Sequence, residues 1–160
     1  MKNMKRSVKK GFGFGITSGI ITTLGLMVGL FSSTNSKIVV LGGILMIAIA
    51  DAMSDALGIH LSEELSGKHT CKEIWESTIS TFTFKFVFAT IFVIPILIFE
   101  LQFAIIFSVF FGLLLLGIFS YFIAVQNKKN PLPVIAEHVV IATLVVIFTY
   151  FIGEFARNLS

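Results

Sequence analysis

Long runs of apolar residues alternate with short polar segments along the whole chain. Each run is long enough for an α-helix to cross a hydrocarbon core of about 30 Å at about 1.5 Å per residue. The runs cover residues 11–31, 38–58, 79–99, 103–125 and 134–155. The polar segments between them are too short to hold a separate soluble domain. The pattern therefore predicts an all-α, polytopic membrane protein with five transmembrane helices, forming one domain over residues 1–160.

Composition and charge agree with a membrane protein and give it an orientation. Charged residues make up 13% of the chain, whereas a soluble domain carries about 25%. Lys and Arg concentrate on the cytoplasmic side of membrane proteins, and nine of the 12 lie on the side of the N-terminus. These nine are Lys2, Lys5, Arg6, Lys9, Lys10, Lys68, Lys72, Lys128 and Lys129. We therefore expect the N-terminus in the cytoplasm and the C-terminus outside, in the cell membrane or, alternatively, an organelle membrane.

The basic N-terminal segment is similar to the start of a secretory signal peptide. The apolar run that follows is longer than the apolar part of a signal peptide, and no A-x-A cleavage motif comes after it. We therefore expect it to be retained as the first span. The net charge of +3 lies mainly in short segments that flank the spans, so we expect no nucleic-acid partner.

Asp51 and Asp55 lie within the second apolar run, one helical turn apart. A helix places positions i and i+4 on the same face. Each charge near the centre of a membrane helix costs about 2.5–3.5 kcal/mol, and two ionised carboxylates also repel each other. A bound cation or a shared proton would offset this cost. The alternative is a structural pair satisfied by hydroxyl groups and by Lys85.

Small and polar residues continue along the same faces of the first two spans. On the second span they are Ser54, Gly58 and Ser62, and on the first Gly15, Ser18, Thr22, Gly25 and Gly29. Such stripes let membrane helices pack closely, and a tightly packed pair can also line a narrow polar path. We predict a path lined by Ser18, Thr22, Asp51, Ser54 and Asp55.

Further titratable residues follow the second span on the cytoplasmic side. They are His60, Glu63, Glu64, Glu73 and Glu76, with His69 and Cys71 close by. Imidazole, thiolate and carboxylate groups together suit Fe²⁺, Mn²⁺ or Zn²⁺ better than an alkali ion. The five acidic and imidazole residues form a candidate site for capturing metal from the cytoplasm, and the alternative is a solvated loop of mixed charge.

Three residues within or beside the later spans are candidate proton or charge partners: Lys85, Glu137 and His138. Lys85 either extends its ammonium group toward the interface or pairs with an acid. Glu137 and His138 lie in the first turn after Pro133, where a carboxylate also stabilises a helix dipole. Their alternative role is helix capping.

Other polar or sulfur-bearing residues have simpler interpretations. Glu154 and Arg157 are spaced i, i+3 and predict an interfacial ion pair. Met27, Met46 and Met53 are expected in the core rather than at a metal. No arrangement of Ser/His/Asp, no phosphate-binding glycine loop and no paired-cysteine zinc motif is present, and the single Cys71 excludes an internal disulfide. We therefore expect no enzymatic activity and no permanently bound cofactor.

Three segments resemble the vacuolar iron transporter family. GITSGIITTLGLMVGL (15–30) is similar to its glycine-rich first helix, and AIADAMSDALGIHLSEE (48–64) to its Ala/Ser-rich second helix. TYFIGEF (149–155) is similar to its closing Thr-Tyr-x-x-Gly. The resemblance implies a five-helix protomer that dimerises, with the first two helices lining the ion path at the two-fold axis, and metal/proton antiport.

The chain also departs from the family pattern. The family has an acid where this chain has Ser18, and Met and Glu near Asp55 and Ile59. It often carries a long metal-binding insert where this chain has only residues 59–78. Asp51 and Asp55 are the candidates to replace the missing ligands.

These observations together lead to one functional hypothesis and two alternatives. The hypothesis is a homodimeric transporter in membrane lipid that exports the divalent metal ions Fe²⁺ or Mn²⁺ in exchange for protons. One alternative is a proton or monovalent-cation channel that uses the same acids. The other is a membrane assembly subunit without transport activity, whose glycine face binds another membrane protein.

Overall fold

The computed structural model describes residues 5–159, which form α-helices joined by short turns, with no strand among them. Lys2, one of the nine clustered positive charges, lies outside the described residues. The helices are α1 (Arg6–Thr34), α2 (Lys37–Ser66), α3 (Cys71–Thr90), α4 (Val93–Ile98), α5 (Leu101–Gln126) and α6 (Pro131–Arg157).

Five helical segments of this part of the chain are long and apolar enough to cross a membrane, with α3 and α4 together forming the third. The predicted all-α, polytopic architecture with five spans is therefore confirmed, and the chain is a multi-pass membrane protein. The helices extend past the apolar runs at most ends, by up to eight residues at the start of the third. Polar residues at those ends continue the helical hydrogen bonding beyond the apolar stretch.

The third span is not one continuous helix over residues 79–99, as the apolar run predicted. It ends as α3 at Thr90 and resumes as α4 at Val93. Proline lacks an N–H and its ring clashes with the carbonyl four residues earlier, which makes Pro95 the cause of the break at Ile91. The chain turns there through tighter bonds, from Phe92 N to Ala89 O (3.3 Å) and from Ile94 N to Ile91 O (3.2 Å).

The first helix, α1, is the centre of the bundle and packs against α2, α3, α5 and α6. Glycines allow these contacts, but not along a single face as the predicted stripe implied. Gly11, Gly15 and Gly19 lie against the α3 backbone, whereas Gly25 and Gly29 lie against Thr149 of α6. Small residues at a helix crossing let two backbones approach closely, so α1 uses different glycines for different neighbours.

The second helix contacts the bundle along one side only. Ala48, Ala52 and Ala56 are buried on that side, while Met46 and Met53 are exposed on the other. The expectation of core packing is therefore right for Met27, which is fully buried, and wrong for Met46 and Met53. Their side of α2 faces away from α1 and α3.

Polar contacts fix both ends of the bundle. At the end of the bundle that holds the N-terminus, Thr70 and Glu73 form a capping box at the start of α3, which satisfies backbone N–H groups that lack helical partners. At the other end, Lys37 donates to the carbonyls of Leu97 (3.3 Å) and Phe99 (3.0 Å) at the end of α4. The predicted Glu154–Arg157 pair is confirmed, with an N–O distance of 2.8 Å.

Replacing Gly15 by Ala should destabilise the bundle. A Cβ there would lie 2.8 Å from Thr81 O and 3.1 Å from Lys85 N, so α1 and α3 must separate, at about 1–3 kcal/mol. Gly117→Ala is the matched control, because the nearest atom to a Cβ there is Ile135 Cγ2 at 3.9 Å, an ordinary van der Waals contact. Unfolding of the purified protein in detergent should show a loss for Gly15→Ala only. Equal stability of the two variants would contradict this packing.

Thiol labelling tests the predicted orientation. Cys71 is exposed at the start of α3, so a membrane-impermeant maleimide should label it only from the cytoplasmic side. Cys71→Ser combined with Asn158→Cys moves the thiol beyond the C-terminal end of α6 and should reverse the result. Labelling of Cys71 from outside would overturn the orientation.

Candidate cation site

Asp51 and Asp55 of α2 meet Lys85 of α3 inside the bundle. The Lys85 ammonium nitrogen lies 2.5 Å from Asp51 Oδ2 and also forms an ion pair with Asp55 Oδ2. The spacing of one helical turn brings both carboxylates to the same lysine. Of the alternatives that the sequence left open for Lys85, the structure shows the pairing with acids, and the acids are these two.

Ser18 of α1 completes this network. Its hydroxyl accepts a hydrogen bond from Lys85 Nζ at 2.9 Å and donates one to Asp55 Oδ2 at 2.7 Å. Thr22, one turn further along α1, donates its hydroxyl to the Ser18 carbonyl at 2.9 Å. The first three helices therefore each supply at least one polar group to the same site.

The two aspartates differ in how they are satisfied. Asp55 Oδ2 receives hydrogen bonds from both Lys85 and Ser18. Asp51 Oδ2 is buried, and its partner among residues 5–159 is Lys85 Nζ, in an ion pair at 2.5 Å. Asp55 is therefore the acid with more partners.

Burial is uneven across the network. Lys85 is 1% exposed, whereas the side chains of Asp51 and Asp55 are 28% and 23% exposed. Gly19 of α1 lies against the Lys85 backbone and Cγ, which holds the stem of the lysine between α1 and α3. The carboxylates reach the edge of the bundle, while the lysine stays inside.

The site lies within the apolar part of the third span. Lys85 comes six residues after Ile79, where the apolar run begins, which is about 9 Å at about 1.5 Å per residue. Two carboxylates and one ammonium leave a formal charge of −1 when all three are ionised. A net charge at that depth is costly, so a proton or an additional cation would stabilise this site.

Ser54, predicted as part of the same path, is not brought into the network. It is exposed on the outer side of α2, near Gly58, where a Cβ would meet nothing within 4 Å. The polar stripe of α2 therefore divides. The aspartates turn toward Lys85, and the small residues turn outward.

The candidate metal-capturing residues around the turn between α2 and α3 do not converge on one site. Glu63 is buried and pairs with Lys10 of α1 and, at 2.8 Å, with His69 Nε2. Glu64 is exposed, and no ion pair reaches its carboxylate from residues 5–159. His60 Nδ1 is hydrogen-bonded to Thr78 Oγ1 at 3.0 Å.

The two acids of α3 have local partners as well. Glu73 Oε2 accepts hydrogen bonds from Thr70 N and Thr70 Oγ1, both at 2.9 Å. Glu76 accepts from Lys5 Nζ at 2.5 Å and from Ser7 Oγ at 2.7 Å. Lysine and hydroxyl side chains therefore bind these acids separately, although the sequence grouped the acids into one cluster.

Glu137 and His138 lie away from Lys85. Glu137 is exposed on α6, and His138 Nδ1 is hydrogen-bonded to Ser120 Oγ of α5 at 2.7 Å. Sequence reasoning missed the partners Thr78, Ser120 and Lys10, because each lies on a different helix from its histidine or acid. The position of each residue around its own helix was the only signal in the sequence that could have suggested these pairs.

No three His, Cys, Asp or Glu side chains between residues 5 and 159 lie close enough together to hold a metal ion. A single protomer offers at most the two carboxylates beside Lys85.

No protein-family model matches the chain, and no curated protein matches it either.

Removing the lysine should expose the repulsion between the acids. Lys85→Met keeps the length of the side chain but leaves two carboxylates without a counter-ion, at a cost of about 2–3 kcal/mol after allowance for their partial exposure. Lys85→Met with Asp55→Asn should recover much of that loss, because only one charge remains. Unfolding in detergent measures both variants. A Lys85→Met protein as stable as the parent would show that this ion network contributes nothing.

Proposed function

We propose that the chain is a proton-coupled transporter of a divalent transition metal, exporting Fe²⁺ or Mn²⁺ from the cytoplasm as a homodimer. The observation that carries this proposal is the charge of the Asp51–Asp55–Lys85 network. Two acids share one fixed cation within the apolar spans, which leaves one negative charge per protomer for an exchangeable cation.

Charge balance supports exchange rather than simple binding. One proton on either aspartate makes the network of a protomer neutral. Two such networks carry a charge of −2 when deprotonated, which one divalent ion neutralises. One metal ion therefore replaces two protons without a net charge entering the membrane.

The open face of α2 supports a dimer. Asp51 and Asp55 reach the edge of the bundle beside this face, and Gly42 and Gly58 on it have empty space around them. Partly exposed carboxylates are unfavourable against lipid. A second copy packed on the small residues would cover them and bring four carboxylates together, compared with two in a single protomer.

The donor atoms favour a hard cation. Carboxylate and hydroxyl oxygens bind a hard ion such as Mn²⁺ better than they bind a soft metal ion. No sulfur ligand from residues 5–159 lies in the network, since Met53 is exposed on the outer side of α2. Glu64, whose carboxylate is exposed and unpaired within residues 5–159, is the acid best placed to meet metal from the cytoplasm. Mn²⁺ is therefore the ion for the first assays.

Neutralising both aspartates should abolish metal transport. Asp51→Asn with Asp55→Asn removes both exchangeable charges, so Mn²⁺ flux into proteoliposomes under a pH gradient should fall to the rate of protein-free vesicles. The double variant Glu100→Gln with Glu154→Gln is the matched control. It also removes two acids, and both of these acids lie at the end of the bundle opposite to Glu64. Undiminished flux in the aspartate variant would refute the mechanism.

The same vesicles separate the alternatives. Exchange of one divalent ion for two protons moves no net charge, so the flux should not change when valinomycin and potassium set the membrane potential. Currents that persist in chelator without divalent metal would favour a proton or monovalent-cation channel. Activity that appears only with a second membrane protein would favour an assembly subunit.

A further inference from the structure

A cavity of about 590 Å³ opens at the end of the bundle that holds the N-terminus. It lies between the first turns of α1, the polar turn after α2, the start of α3 and the end of α5. It is remote from Asp51 and Asp55, neither of which lines it. The orientation predicted from the positive charges places it on the cytoplasmic side, at the level of lipid headgroups.

Positive side chains dominate its wall. Four permanent cations line the cavity, against two carboxylates, and a histidine lies among them. The cations are Arg6, Lys9, Lys10 and Lys68, the histidine is His69, and the carboxylates are Glu63 and Glu73.

Both carboxylates already have partners within the protein. Glu63 is buried between Lys10 and His69, and Glu73 accepts the hydrogen bonds of the Thr70 cap. Arg6, Lys9 and Lys68 have no acidic partner in the part of the chain that the structure describes. Three cations without an ion-pair partner therefore line one concave site, whose formal charge is +2 when both carboxylates are ionised and His69 is neutral.

The backbone of α1 adds to this positive potential. Its N-terminal N–H groups receive no side-chain cap, and its first turn holds no acid, so the positive end of its dipole remains available for an anion. The ends of α2 and α5 contribute partial negative charge, but a full charge on each free cation exceeds the half charge of a helix end. Phe12 and Ile123 form an apolar part of the wall.

We propose that this cavity binds a phosphate group, carried by an anionic phospholipid or by a soluble phosphate compound. Arg and Lys are the residues that recognise phosphate oxygens, and basic pockets at the cytoplasmic ends of membrane helices bind anionic headgroups. Arg6, Lys9 and Lys68 contact the phosphate. Lys10 and His69 are held by Glu63, which fixes the shape of the site.

Calorimetric titration of the purified full chain in detergent tests this with two probes. Short-chain phosphatidylglycerol represents the lipid source and inorganic pyrophosphate the soluble source, with short-chain phosphatidylcholine as the zwitterionic control. Saturable binding of either anionic probe supports the site, and which probe binds more tightly identifies the source. Absence of saturable binding by both would overturn the proposal.

Two matched double variants assign the binding to the cavity. Lys9→Gln with Lys68→Gln should weaken the affinity about 10- to 30-fold, as expected for two lysines near a phosphate. Lys128→Gln with Lys129→Gln removes the same charge on the same side outside the cavity and should leave the affinity unchanged. Equal weakening in both variants would mean diffuse attraction without a site. None of these lysines has an acidic partner within residues 5–159, and circular dichroism verifies that each variant is folded.

Discussion

The pairing of one buried lysine with two aspartates is the interaction around which the membrane domain is arranged. Lys85 of α3 is almost fully buried, and it meets Asp51 and Asp55 of α2 and Ser18 of α1. Each of these polar groups alone would be unfavourable at that depth. Together they tie α1, α2 and α3 to a single relative position, because a shift of any one helix would leave a charge without its partner.

Close packing of α1 makes that arrangement possible. Gly15 and Gly19 bring the α1 backbone against α3 at the level of Lys85, so the lysine stem lies between helices and its ammonium points toward α2. On its other side α2 is open, and the carboxylates are partly exposed at the edge of the bundle beside this open side. The same geometry therefore gives the acids a buried counter-ion toward α3 and leaves part of each carboxylate exposed.

Sequence patterns predicted what depends on local spacing and missed what depends on packing between helices. The apolar runs predicted the five spans, but a single run covers the break at Ile91, although Pro95 lies inside that run. The spacing of Asp51 and Asp55 predicted a shared face, while the choice of Lys85 as partner needed the rotation of α3 relative to α2. Glu63 and Glu76 were grouped by proximity along the chain, yet Lys10 and Lys5 of α1 separate them. These lysines are more than 50 positions away in sequence.

Counting the protons released when metal binds tests the central claim most directly. The purified protein is titrated with Mn²⁺ in weakly buffered solution containing a pH indicator, and the protons released are compared with the ions bound. If the Asp51–Asp55–Lys85 networks of two protomers exchange protons for one metal ion, each bound ion should release about two protons, one from each network. Asp51→Asn with Asp55→Asn should remove this release. Tight Mn²⁺ binding without proton release, or unchanged release in that variant, would contradict the mechanism.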